Sequence, residues 1–556
     1  MGCNQNCAKM KTRRRIMKKT VKILSIVLAL VLVVGLFAAC GGEDTPDEPV
    51  NDEPKVTLNT EDGGGMDLSG GEITEETKFK DDLTMAIGDF ATANPLNPAF
   101  ILAGCNGIVT MVWDSLLRRD ADLVNQPCLA TEVTTEDYIT WHVKLREGVK
   151  WHDGGDFTAA DVEFTFDYIM STPGAVAQQK WGCIDHCDIK DDYTMDIVLK
   201  YPNVDFDTYM VEPLCSGIYS KAAVEADPEN GMMIGTGPWK FVEAIPGNYL
   251  KLEANEEYWG EKVKAKTLTQ KVVLEQSVIT MMFLNGELDW CGVTVDELPN
   301  FEGVEGIEMV DYVTSNTLYL AFNLCNPLMS DINFRLAVAH AIDPEVCTQV
   351  CSQGYAQTHD SAAYWGGRTD YKNPNLPFWE QDLDKAKEYL AASAYNGETV
   401  QIMASIPGFT IPVAEVFQEQ LEAIGMVVEV DQPDNASLTS RTLPGATEWH
   451  MMINSGPWNN LASSCELFFM KGMFANKANW ENPRVQELLQ KAAGTPNGPE
   501  REALYYEVQE ICAEEIPFIG VNNGMAFSAR WKGVGGMIYF ADGYPDYAHV
   551  YRIIEE

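Results

Sequence analysis

Between Pro412 and Val430 the hydrophobic period changes once, and that change limits the folds open to the chain. Val413, Val416, Phe417, Leu421 and Ile424 return every three or four residues, so they share one face of a helix. Gly425 follows, where a helix C-terminal cap accepts a left-handed residue without a Cβ penalty. Met426 to Val430 then reads as a buried strand. Helix, glycine and strand in this order are the repeating unit of an α/β fold.

The same interleaving occurs elsewhere. Ile139, Trp141, Val143 and Leu145 alternate with Thr140, His142 and Lys144, and Met195, Ile197 and Leu199 repeat the pattern after Asp191-Asp192. Both segments read as half-buried strands. Thr158 with Asp161 forms a capping-box-like start, after which Val162, Phe166 and Ile169 fall on one helical face. Asp331 is placed to cap a helix carrying Phe334, Val338, Ala341 and Ile342, and Asp343-Pro344 ends it and opens the next.

The start of the chain assigns its compartment. Eight Lys and Arg residues with no acidic residue precede an apolar run from Ile23 to Ala39, the layout of an export signal. The run ends Leu36-Phe37-Ala38-Ala39-Cys40-Gly41, which resembles the bacterial lipobox, whose cysteine becomes the lipid-modified first residue after cleavage. An uncleaved anchor is the alternative, because the run reaches the lower end of a membrane-spanning length. Either arrangement leaves everything after residue 40 outside the membrane. From Gly41 to about Lys78 the chain is rich in Gly, Asp, Glu, Pro and Thr and reads as a disordered acidic tether.

The formal net charge is −42, and the leader holds eight of the positive charges, so the exported part carries about −50. Such a field repels nucleic acid and anionic lipid headgroups, which argues against either as a partner. Eleven cysteines follow Cys40, an odd number without the dense spacing of a disulfide scaffold. The closest cluster, Cys183-Ile184-Asp185-His186-Cys187, reads as a small disulfide loop or, with His186, as part of a metal site lacking a further ligand.

In their order along the chain, several stretches resemble the large solute-binding proteins of bacterial ABC importers, the oligopeptide, dipeptide and nickel-binding family. They include Trp113-Asp114-Ser115-Leu116-Leu117-Arg118, Leu145 to Gly154, and Phe157-Thr158-Ala159-Ala160-Asp161-Val162. Gly235-Thr236-Gly237-Pro238-Trp239-Lys240, Tyr258-Trp259-Gly260, Asn285-Gly286-Glu287-Leu288-Asp289 and Phe334-Arg335-Leu336-Ala337 continue the resemblance, which covers about residues 82 to 550. It implies a two-lobed α/β periplasmic-binding-protein-like fold. Lobe I spans 79–320 with an inserted subdomain over about 118–203, lobe II spans 321–519, and 520–556 returns to lobe I. Hinge strands are expected near Leu318 to Asn323 and near Pro517 to Asn522. Most motif residues, with His152 at a structural turn, are expected to hold the fold.

By the same resemblance, Asn97, Asn323, Tyr364, Trp365, Asn454 and Trp458 are expected to face a ligand in the cleft, and Cys40 to carry the lipid. Peptide-binding members follow the tryptophan of the last segment with an aspartate that pairs with the peptide ammonium. Here Trp458 is followed by Asn459-Asn460-Leu461-Ala462-Ser463-Ser464, and the next carboxylate is Glu466. A buried ammonium without a counter-charge is costly, so a neutral solute such as a sugar competes with a peptide as the ligand. The implied partners are a small solute, a membrane permease and its cytoplasmic ATPase, with the membrane reached through the lipid; no cofactor is implied.

Enzyme signatures are missing. There is no Gly-x-Ser-x-Gly elbow, His-Glu-x-x-His or Walker loop, and the seven histidines are scattered singly. A signalling or chaperone-like receptor using the same cleft is the other rival reading.

Overall fold

The computed structural model describes residues 66–87 and 106–554, apart from 173–174, 176, 212–215, 229, 364–370, 377, 406–409, 458–460, 474 and 541–544. The leader, Cys40 and the first part of the tether lie outside the described residues. So do Asn97, Tyr364, Trp365 and Trp458. The later part of the expected tether is folded: Met66–Leu68 pairs antiparallel with Met537–Tyr539. Leu68 is buried there, and Gly70 packs so tightly on Gly533 that an added Cβ would stand 2.4 Å from its carbonyl oxygen. Two apolar residues and a glycine in an otherwise polar stretch suffice for this docking.

Most strands join one eleven-stranded mixed sheet. Along the chain we number its main strands β1 (Asp82–Ile87), β2 (Trp239–Ile245), β3 (Tyr249–Ala254), β4 (Thr267–Val272), β5 (Trp290–Val293), β6 (Ile307–Phe322), β7 (Thr399–Met403), β8 (Val427–Asp431), β9 (Met451–Pro457) and β10 (Phe518–Trp531). Their order across the sheet is β8-β7-β9-β6-β10-β5-β1-β4-β3-β2, and a short strand, Ala356–Thr358, also pairs with β10.

Lobe I is the β1–β5 side and lobe II the β7–β9 side. Among the described strands only β6 and β10 pair towards both sides, and at 16 and 14 residues they are two to three times the usual strand length. They pair antiparallel, and the register shifts between Val313 and Thr317, opposite Gly524, close to the segments read from the sequence as hinges. The first and last described segments both enter lobe I. Asp289 ties them, accepting from Lys80 Nζ at 2.8 Å, Arg552 Nη1 at 2.7 Å and the Thr84 N–H at 2.8 Å.

In lobe II, the alternation of β6 sends Leu318, Leu320 and Phe322 into one core with Phe334, Val338, Val413 and Phe417. Tyr319 and Ala321 go to the other face, against Phe468, Trp480, Leu488 and Tyr505. Helices cover both faces, as period-2 strands with two apolar faces require. The first core is covered by helices including Ile332–Ala341 and Thr410–Glu422. The second is covered by α1 (Leu461–Phe469), α2 (Pro483–Ala493) and α3 (Pro499–Glu515). Asp331 and Asp343 cap their helices as expected, accepting from Asn333 N–H at 2.9 Å and Glu345 N–H at 3.0 Å.

Gly425 takes φ +96° after its helix. The strand beyond it differs from expectation: β8 is an edge strand, with Val428 buried but Val427 49% exposed. An edge strand has one neighbour, so a short apolar run does not secure burial on both faces.

The inserted subdomain is a four-stranded antiparallel sheet in the order Ala130–Thr135, Thr140–Leu145, Thr194–Leu199, Ile184–Asp191. Trp141, Val143, Leu145, Met195, Ile197 and Leu199 point inward as read from their alternation. The helix Ala159–Ser171 starts at Thr158, whose N–H donates to Asp161 Oδ2 at 2.9 Å. Cys183 and Cys187 are both free thiols, so the disulfide loop does not form, and no cluster of metal-ligating side chains occurs among the described residues. Burial pushes both thiols up to about 12, Glu466 adding to the effect on Cys183 and Glu163 to that on Cys187.

Candidate functional site

Midway along β6 and β10, between the lobes, a row of polar side chains interrupts their apolar runs. Thr314 Oγ1 donates to the Gly524 carbonyl at 2.9 Å, and Thr317 Oγ1 donates to Asn523 Oδ1 at 2.7 Å. Asn522 Nδ2 donates to Thr348 Oγ1 at 3.3 Å. Thr317, Asn522 and Asn523 are at most 5% exposed. Buried amides and hydroxyls at a junction between lobes are the groups that orient a small molecule in a cleft.

β9 runs along lobe II to this junction, Asn316 facing Pro457 and Tyr319 facing Asn454. Asn454 is half-buried and its Nδ2 donates to the Tyr319 hydroxyl at 3.3 Å. Tyr319 is held edge-on between Phe468 and Phe518. Gly456 permits this packing: a Cβ there would lie 2.3 Å from Phe468 Cζ. The segment leaving β9 thus starts from a rigid base, and the expected Trp458 lies just beyond the described residues.

Asn323 sits at the opposite end of β6. Its Nδ2 donates to the carbonyls of Ala446 at 3.0 Å and Trp449 at 2.8 Å. Its Oδ1 accepts from Cys325 N–H at 3.3 Å and Asn479 Nδ2 at 3.2 Å. An amide has two donors and two acceptor positions, so the side chain is saturated within lobe II. The structure brings Asn454 to the junction and does not bring Asn323 beside it. Thr317 and Asn523 were not singled out from the sequence, and Asn522 only as the end of an expected hinge segment, although Asn522-Asn523-Gly524 inside an apolar run was a visible signal.

Glu466, the first carboxylate after Trp458, lies on α1 among residues of the insertion. Burial, reinforced by Asp205 and opposed by Lys180, pushes it up to about 7. Against β10, burial lowers His359 to about 4; its Nδ1 donates to the Ser361 carbonyl at 3.2 Å.

Lobe I shows what the motif stretches do. Asp114 is 2% exposed, and its carboxylate accepts from Tyr258 Oη at 3.1 Å, Trp259 Nε1 at 2.9 Å, Thr236 Oγ1 at 3.1 Å and Arg118 Nη2 at 3.2 Å. One buried carboxylate thereby joins three of the motifs. His152 Nε2 donates to the Gly237 carbonyl at 3.0 Å and its Nδ1 accepts from Gly235 N–H at 3.2 Å. Burial lowers it to about 4, so it is a neutral clasp of a turn.

Comparison with known proteins accounts for this arrangement. Residues 125–471 match the family described as bacterial extracellular solute-binding proteins, family 5. The oligopeptide-binding protein AppA of Bacillus subtilis is 24% identical over 546 residues, covering 92% of this chain and 96% of that protein. Two solved structures share the fold. The periplasmic binding protein DppA of Helicobacter pylori, in complex with a peptide, superposes with a TM-score of 0.75 at 22% identity, covering 86% of this chain and 99% of that one. NikZ of Campylobacter jejuni, in complex with Ni(L-His), gives 0.72 at 23% identity, covering 82% and 95%. The curated relative is a binding protein, and no described helix is long and apolar enough to cross a membrane. With its family model spanning more than half of its length and two lobes joined by paired crossing strands, the chain belongs to the bacterial extracellular solute-binding proteins of family 5.

Proposed function

We propose that this protein is the solute receptor of an ABC importer, lipid-anchored through Cys40 on the outer face of the cell membrane. It captures a peptide or similar small solute between its lobes and delivers it to a membrane permease driven by a separate ATPase. The observation that carries this reading is the polar junction of Thr317, Asn522 and Asn523 on the two long strands that, among the described residues, are shared by both lobes. Binding there favours the closed arrangement by its differential contacts with the two states. Asn454 is assigned to the ligand-facing surface with Asn97, Tyr364, Trp365 and Trp458, and Asn323 to positioning the loop Ala446–Trp449. No step of this function requires the protein to be an enzyme.

A neutral solute is the second reading. The aspartate expected after Trp458 is replaced by Asn459-Asn460, and Glu466 is engaged with the insertion. Mass spectrometry of small molecules co-purifying with the protein tests both. A peptide supports the first reading and a sugar or other uncharged compound the second. If no member of a peptide, sugar, amino-acid and metal library changes tryptophan fluorescence or scattering, the capture mechanism is wrong.

A further inference from the structure

The lobes meet a second time, away from the strand crossing. Pro202–Asp205, at the end of the insertion, lies against α2 and α3 of lobe II. Val204 N–H donates to the Ala493 carbonyl at 2.8 Å, and a Cβ on Gly494 would stand 3.2 Å from Pro202 Cβ. Arg501 of α3 reaches across to Asp205 with both terminal nitrogens, Nη1 bonding Oδ1 at 3.0 Å and Nη2 bonding Oδ2. The pair is enclosed, with side chains 2% and 14% exposed.

Arg501 is held by its own lobe as well. Nε donates to the Ala492 carbonyl at 3.0 Å, Nη1 to Asn497 Oδ1 at 2.7 Å and Nη2 to the Tyr505 hydroxyl at 3.3 Å. The guanidinium is therefore preorganised for a planar carboxylate, the geometry in which Arg binds most selectively. Asp205, by contrast, belongs to the other lobe.

We propose that Arg501 and Asp205 form a latch that holds the insertion closed on lobe II. The inference rests on the reading that the lobes open and close. Parting the lobes returns Asp205 to water and leaves Arg501 with its intralobe partners.

Small-angle scattering of the purified full chain without added solute tests the latch. Asp205→Asn should expand the protein, read as a larger radius of gyration than that of the parent. Because Asp205→Asn also leaves a buried guanidinium short of its partner, a second variant controls for misfolding: Pro202→Cys with Gly494→Cys. Its oxidation, verified by peptide mass mapping, should restore the compact radius in the Asp205→Asn background, and reduction should release it. The proposal is overturned if Asp205→Asn lowers the unfolding temperature but leaves the radius unchanged, or if cross-linking does not alter the radius of the expanded variant. Since no solute or permease is present, failure here leaves the co-purification result independent.

Discussion

Thr317 donates to Asn523 across the two long strands that pair towards both lobes, and the 2.7 Å bond lies next to their shift of register. Thr317 is fully buried and Asn523 nearly so. Thr317→Val keeps the shape and removes the donor, leaving an amide oxygen without that partner away from water. The expected loss is ~1–3 kcal/mol. Urea denaturation should show a lower midpoint with an unchanged slope, and Thr317→Ser should recover most of the difference.

Asp114 carries a larger share of lobe I. Its carboxylate accepts from five side chains drawn from four segments, Cys128 Sγ at 3.7 Å being the fifth, and Arg118 supplies its positive partner. Asp114→Ala leaves the buried Tyr258 and Thr236 donors without that acceptor and Arg118, 29% exposed, without its counter-charge. A loss of ~3–5 kcal/mol is expected, read as a lower melting temperature. Asp114→Asn retains one acceptor oxygen and should fall between the parent and the alanine variant.

This hub also marks how far the sequence could be read. Trp113 to Arg118, Thr236 and Tyr258-Trp259 were visible as separate stretches, but no periodicity says that one carboxylate gathers them. Strand alternation around Trp141 and Ile197 and the Asp331 and Asp343 caps were legible because each depends on neighbours within a few residues. The register shift at Val313–Thr317 and the distance of Asn323 from the junction depend on pairing between segments some two hundred residues apart. Val427 misled for a related reason: its exposure follows from β8 being last in the sheet, a fact of topology.

His359 gives stability a pH dependence. It is 3% exposed, and burial, then Lys372, holds its pKa down to about 4, below the 6.5 of a free histidine. The folded state thus prefers the neutral ring. Its contribution is complete above pH 6.5 and is lost as pH falls from 6.5 to 4, as the unfolded chain takes up a proton that the folded one refuses. Over that window the loss reaches ~3 kcal/mol. His152, also lowered to about 4, adds a parallel decline. Unfolding measured from pH 7.5 to pH 4 should therefore flatten only in part in His359→Asn, and an unchanged slope would sink the assignment.

Gly456 and Phe468 set the start of the segment that leads to Trp458. A methyl group at 456 would lie 2.3 Å from Phe468 Cζ and 2.8 Å from Cε1, so Gly456→Ala must displace the ring and with it α1. Overpacking of this kind costs ~1–3 kcal/mol. Phe468 also packs edge-on against Tyr319, whose hydroxyl accepts from Asn454, so the displacement reaches the surface proposed to face the ligand. Phe468→Leu alone should be destabilising, because it empties part of the core around Tyr319 and Phe518. Combined with Gly456→Ala it should be less harmful than the sum of the two, since the methyl group fills space that the ring vacates. Thermal unfolding of the four proteins measures the coupling, expected at ~0.5–3 kcal/mol in the compensating direction. Additive losses would mean that Gly456 is required for its backbone and not for the ring above it.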